Sequence, residues 1–129
     1  MTSGTIIRKD VFDVVGLMDE SLFIDYVDIE WCLRARGMGY KVIGLSEFEF
    51  LHNVGDYVKN ILWFKVPVHS KLRLYFQVRN LVYLTKRRYI PFYWKLCEAL
   101  YGIKRAIFYC LIDCGNLFTM FKGFRDGFK

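Results

Sequence analysis

The densest run of chemistry-bearing side chains is Asp19-Glu20-Ser21-Leu22-Phe23-Ile24-Asp25-Tyr26-Val27-Asp28-Ile29-Glu30, which gathers carboxylates at Asp19, Glu20, Asp25, Asp28 and Glu30. An ionised carboxylate held in place is what a general base requires, because it can take the proton from a hydroxyl as that oxygen attacks. The residues after it carry helical spacing, with Ile29 and Leu33 on one face and Glu30 and Arg34 on another, so a helix is expected over about 28–36. Asp28 then stands at or near a helix N-terminus, where free amides and the macrodipole favour the charged form. The same position suits a capping aspartate, and spacing alone leaves cap and base both open.

Other elements must position this run. Thr5-Ile6-Ile7 reads as a short strand and Asp10 to Val15 as a helix capped by Asp10 and ended by Gly16. Gly37 and Gly39 close the helix that starts near Asp28. Tyr40 to Leu45 and Glu47 to Leu51 are β-prone runs, the second alternating Glu47 and Glu49 with Phe48 and Phe50. A loop is expected over 52–68, then helices over 70–88, 92–112 and 116–126, with Pro91 and Gly115 as breaks.

At 129 residues the chain is the size of one domain, and 54% hydrophobic with 19% aromatic residues excludes intrinsic disorder. Its charge is unevenly spread. Residues 1–58 hold 5 basic and 10 acidic side chains, whereas residues 59–129 hold 14 basic and 3 acidic ones. An acidic front half thus precedes a basic back half suited to an anionic surface. Cys32, Cys97, Cys110 and Cys114 show no CxxC spacing and read as reduced, packed thiols; with His52 and His69 they match a zinc site poorly. No basic segment followed by an apolar core opens the sequence, so no signal peptide is read and a cytoplasmic location is expected. The most apolar stretch, Ala106 to Ile112, falls far short of the roughly 20 residues that cross a bilayer.

Several strings together resemble the C-terminal half of family 2 glycosyltransferases, bacterial rhamnosyltransferases above all. They are Ser3-Gly4-Thr5-Ile6-Ile7-Arg8, Val15-Gly16-Leu17-Met18-Asp19-Glu20, Phe23 to Ala35, and Gly39-Tyr40, continued by His52 with Gly55-Asp56 and by Arg73-Leu74-Tyr75-Phe76 with Arg79-Asn80. The resemblance implies an α/β fold, the C-terminal part of a GT-A, Rossmann-like catalytic domain over 1–68, followed by a helical tail over 69–129. It implies inverting transfer of a sugar, L-rhamnose from dTDP-rhamnose, to a growing cell-surface polysaccharide or a lipid-linked acceptor. Asp28 takes the position of the family's catalytic base. Val27 replaces the first acid of the commoner Glu-Asp pair, so Asp25 is the second candidate.

Carried over in the same way, Trp31 and Glu30 are acceptor-binding candidates, although packing explains Trp31 and its neighbour Arg34 equally well. His52 is the candidate ligand for a divalent cation, Mg²⁺ or Mn²⁺, or else a structural histidine. Arg79 is either a donor-side phosphate contact or, with Asn80, a helix-face residue bonding nearby backbone. The resemblance also implies a nucleotide-binding half ahead of Met1 that ends in Asp-x-Asp. No Asp-x-Asp occurs in the sequence, so the chain alone is expected not to turn over a nucleotide sugar, because metal and preorganised donors supply the largest catalytic effect.

The tail combines Lys86-Arg87-Arg88-Tyr89 with aromatics from Phe92 to Phe128, the composition of a helix lying in a membrane interface. A peripheral position at the inner face of the cell membrane is expected, where polyprenol-linked acceptors and anionic lipids reside. The rival covering for that apolar surface is the implied N-terminal half or a twin subunit in a homodimer. A nucleic-acid partner is not expected, since no recognisable binding module is present. A non-catalytic membrane-surface or assembly module derived from a transferase is the alternative function.

Overall fold

The computed structural model describes residues 5–45, 57–61 and 64–129. In chain order these form α1 (Lys9–Val15), a 3₁₀ turn (Glu20–Leu22), α2 (Val27–Gly37), strands β1 (Tyr57–Ile61) and β2 (Phe64–Val68), and helices α3 (Lys71–Thr85), α4 (Phe92–Ile112) and α5 (Gly115–Asp126). The strands pair antiparallel, with Tyr57 opposite Val68 and Ile61 opposite Phe64.

This overturns the expected α/β, Rossmann-like architecture. Among the described residues the fold is helical, and the single hairpin is its sheet. Thr5 to Ile7 and Tyr40 to Leu45 have strand composition but no strand structure. A β-prone run becomes a strand only where a neighbour takes its backbone hydrogen bonds and covers one face. Neither run pairs with a strand among the described residues, and Ile6, Val42, Ile43 and Leu45 are exposed. The run Glu47 to Leu51 lies outside the described residues. The expected loop over 52–68 instead contains the hairpin.

The helices follow local chemistry closely. Ser70 caps α3 by accepting the Arg73 amide at 3.4 Å, and Pro91, with φ fixed near the helical value, precedes the first turn of α4. Asp10 is not the cap of α1. Arg8 holds that position, and its guanidinium bonds the Asp10 carboxylate inside the first turn. Gly16 ends α1 at φ +85°, a backbone state that side chains resist. Asp113 ends α4 in an extended conformation and accepts the Gly115 amide at 2.8 Å, which starts α5.

Three apolar clusters hold these elements. Val15, Trp31 and Ala35 join α1 to α2; Leu22, Tyr26, Leu33, Leu84 and Ile90 join the loop before α2, and α2 itself, to the end of α3; Val68, Leu74, Tyr109 and Met120 join β2, α3, α4 and α5. Helix α5 lies unusually close on α3. A Cβ built on Gly123 would sit 2.5 Å from the Tyr75 carbonyl oxygen, and one on Gly127 2.7 Å from that of Arg79. Glycine is required there because the α3 backbone occupies the space a side chain would need.

Helix α4 contributes differently. Only Tyr109 of its 21 residues is fully buried, while Tyr93, Leu96, Leu100, Ile103, Ile107 and Leu111 form an exposed apolar stripe at three- and four-residue steps. No described helix is long and apolar enough to cross a membrane.

The α3–α5 contact gives the first prediction. Gly123→Val is expected to destabilise the chain by about 1–3 kcal/mol through overpacking, read as a lower urea midpoint, whereas Lys122→Ala on the exposed side stays within about 0.5 kcal/mol. Equal midpoints for the two variants would refute the close packing.

Candidate functional site

The acidic run is built around a strained loop. Phe23, Asp25 and Tyr26 have φ of 59°, 60° and 63°, in the left-handed region that non-glycine residues avoid. Each such residue costs about 1 kcal/mol or more and persists only where its surroundings over-determine it.

The surroundings come from α3. Asn80 is fully buried, and its amide nitrogen donates to the carbonyls of Leu22 (2.8 Å), Ile24 (2.8 Å) and Asp25 (3.1 Å). Its oxygen accepts from Arg79 Nε at 3.0 Å and Nη2 at 2.7 Å, and Arg79 also donates to the Ser21 carbonyl. Two turns earlier, Arg73 takes Asp25 in a bidentate grip, Nε to Oδ2 at 2.9 Å and Nη2 to Oδ1 at 2.9 Å. Asp19 accepts the Ser21 amide at 3.1 Å and pairs with Arg87 at 3.0 Å. The loop is therefore fixed at both ends and along its backbone.

The candidate residues occupy distinct places. Asp28 is the second residue of α2, 8% exposed; Tyr26 holds the cap position without a capping side chain. Glu30 is 1% exposed, ion-paired with Arg34 at 3.1 Å and hydrogen-bonded by the Tyr89 hydroxyl. Burial, reinforced by Glu30, raises the Tyr89 hydroxyl well above the ordinary tyrosine range. Trp31 faces α1, donating to the Gly16 carbonyl at 2.7 Å and meeting the Phe12 ring at 5.1 Å. Arg34 adds bonds to the carbonyls of Val15 (2.9 Å) and Leu17 (2.7 Å). Glu30, Trp31 and Arg34 thus bind α2 to α1 and to the start of the loop. Arg79 sits at the loop's other side.

His52 lies outside the described residues. Among the described residues no three His, Cys, Asp or Glu side chains converge as a metal site.

Beside the loop opens a cavity of about 440 Å³. Asp25, Tyr26 and Ile29 line one side, His69 just before α3 and Gln77 of α3 another, and Glu98, Arg105 and Tyr109 of α4 the third. Asp28 is not among its lining residues. The Tyr26 hydroxyl donates to Glu98 at 2.8 Å, and burial, with the Glu98 carboxylate adding to it, pushes Tyr26 up to about 12. Sequence reasoning passed over Gln77, Glu98 and Arg105. A signal was present: Glu98 is one of three acids in the basic half, and it stands seven residues before Arg105, off the apolar stripe of α4.

The chain is similar to rhamnosyltransferase-like glycosyltransferases. It is 39% identical over 103 residues to the dTDP-rhamnosyl transferase RfbF of Shigella flexneri, a match covering 80% of this chain and 35% of the relative. The chain thus spans about a third of the length of the curated relative it matches. No family model matches the chain, and no solved structure matches it significantly.

The clamp gives the second prediction. Asn80→Leu removes the donors to three carbonyls and is expected to cost about 2–4 kcal/mol, read by denaturant unfolding. A loss under about 0.5 kcal/mol would mean that the loop holds its conformation without Asn80.

Proposed function

We propose that the chain is the acceptor-side portion of an inverting glycosyltransferase that transfers L-rhamnose from dTDP-rhamnose to a growing cell-surface polysaccharide or a lipid-linked acceptor. The observation that carries this reading is the clamped left-handed loop, which holds Asp25 at a cavity wall and sets Asp28 in the first turn of the following helix. Backbone strain held by dedicated side chains is a mark of functional loops. The likeness to a dTDP-rhamnosyl transferase supports the same reading.

In this reading Asp28 takes the proton of the acceptor hydroxyl. The freed oxygen forms the new bond to the anomeric carbon as the bond to the dTDP oxygen breaks, and the electron pair leaves with dTDP. Attack opposite the leaving group inverts the configuration. Asp25, both of whose oxygens engage Arg73, holds the loop in register. In the full-length protein, Asp28→Asn is expected to lower turnover by roughly 10²- to 10⁴-fold with the KM for dTDP-rhamnose nearly unchanged. Wild-type turnover by that variant, with loss in Asp25→Asn instead, would move the base to Asp25.

The exposed face of α4 favours a membrane position, for the enzyme or for a non-catalytic module alike. Ile107 and Leu111 of the stripe are 58% and 83% exposed, and the cations Arg88 and Lys104 accompany them on the surface. Apolar side chains at helical spacing enter a lipid interface, and nearby Lys and Arg add about 1 kcal/mol each on anionic membranes. The reading places the protein at the cytoplasmic face of the membrane. Co-sedimentation with phosphatidylglycerol vesicles, weak on phosphatidylcholine and abolished in Ile103→Glu/Ile107→Glu, is the expected result. Absence of binding together with a dimer in solution would assign the face to a second copy.

A further inference from the structure

The two faces of α4 carry opposite chemistry. Its apolar stripe points to solvent, while Glu98, Arg105 and Tyr109, spaced seven and four residues apart, line the cavity. Seven residues are about two turns, so the backbone positions of residues 98 and 105 lie roughly 10 Å apart along one side of the helix. Charged side chains rarely occupy the inward side of a helix unless they are paired or used.

We infer that this cavity is a saccharide subsite in which Glu98 and Arg105 determine which acceptor is taken, an inference that rests on the glycosyl-transfer reading above. Three observations carry it. The cavity offers acceptors and donors in close alternation: Glu98 accepts from Tyr26 at 2.8 Å, and Arg105 donates to Gln77 at 2.9 Å. A hydroxyl both donates and accepts, so a ring bearing several of them can satisfy both kinds of partner. The charges also balance. Two carboxylates, Asp25 and Glu98, face Arg105, and Arg73 grips Asp25 from α3. With two carboxylates answered by two guanidiniums, a neutral polyol meets no net field there. Finally, Tyr26, Ile29 and Tyr109 supply apolar surface for the C–H face of a sugar ring, and about 440 Å³ lies within the usual range of small-ligand sites, roughly 300–1,000 Å³.

These residues come from both sides of the chain. The loop supplies Asp25 and Tyr26, and α4, more than seventy residues later, supplies the groups that would discriminate one hydroxyl arrangement from another. A site built to hydrogen-bond particular hydroxyls rejects ligands that lack them, because its polar groups are then left unpaired.

Saturation-transfer NMR on the 129-residue chain tests this with a panel of neutral methyl glycosides, methyl α-L-rhamnopyranoside among them, and with inorganic pyrophosphate as the anionic probe. The expected result is saturable binding of at least one glycoside and none of pyrophosphate. Arg105→Met and Glu98→Gln should each weaken that binding about tenfold or more, Arg105→Lys less, and Lys104→Ala on the exposed side not at all. Amide spectra that match the wild type establish that each variant is folded, and Arg105→Lys carries the test should Arg105→Met fail to fold. Silence of every glycoside, preference for pyrophosphate, or unchanged binding in both cavity variants overturns the inference. No activated donor is present, so a failure of Asp28→Asn to affect transfer would count against the catalytic reading and leave this measurement standing.

Discussion

One buried amide governs the geometry of the acidic loop. Without partners, three residues between Phe23 and Tyr26 would abandon left-handed conformations for the ordinary β or α regions. Asn80 satisfies three carbonyls that this backbone path turns inward, and leaving them unmet would cost more than the strain itself. Arg79 fixes which way the amide faces by taking its oxygen. The direction of α2, the position of Asp25 on the cavity wall and the inward turn of Tyr26 toward Glu98 all follow from that path.

The charge asymmetry of the sequence has the same origin. The acidic front half and the basic back half meet in space. Asp25 pairs with Arg73 and Asp19 with Arg87, contacts 48 and 68 residues apart. Cations on α3 and on the segment following it therefore neutralise carboxylates that would repel one another in a loop of a dozen residues. Because these pairs are partly buried, solvent and salt screen them less than surface pairs. The cations left over, such as Arg88, Lys104 and Lys122, lie on the exterior with the apolar side chains of α4 and α5.

Much of this was legible in the residues, and the rest was hidden for physical reasons. The helix starts at Ser70 and after Pro91, and the stop at Gly16, are local chemistry and read correctly. The likeness to rhamnosyltransferases was carried by short strings and holds over four-fifths of the chain. Strands at Thr5–Ile7 and Tyr40–Leu45 were misread because composition reports only willingness to pair, and a partner is a non-local fact. Asn80 was visible as a residue beside Arg79, but nothing in the sequence shows that its amide reaches a loop 55 to 58 positions away. Glu98 and Arg105 belong to no motif in the sequence. Their common face emerges only when the apolar stripe of α4 is recognised as the outer one.

The inverted layout of α4 has a mechanical corollary. A helix moves largely as one body, so a small shift imposed on Leu100, Ile103 and Ile107 from outside also moves the backbone that carries Glu98 and Arg105 inside. With Tyr109 as its only fully buried residue and glycine at position 102 against Leu81, α4 is restrained less than α3, whose backbone is locked against α5. What seats the outer surface of α4 therefore also positions the backbone from which Glu98 and Arg105 reach the cavity wall.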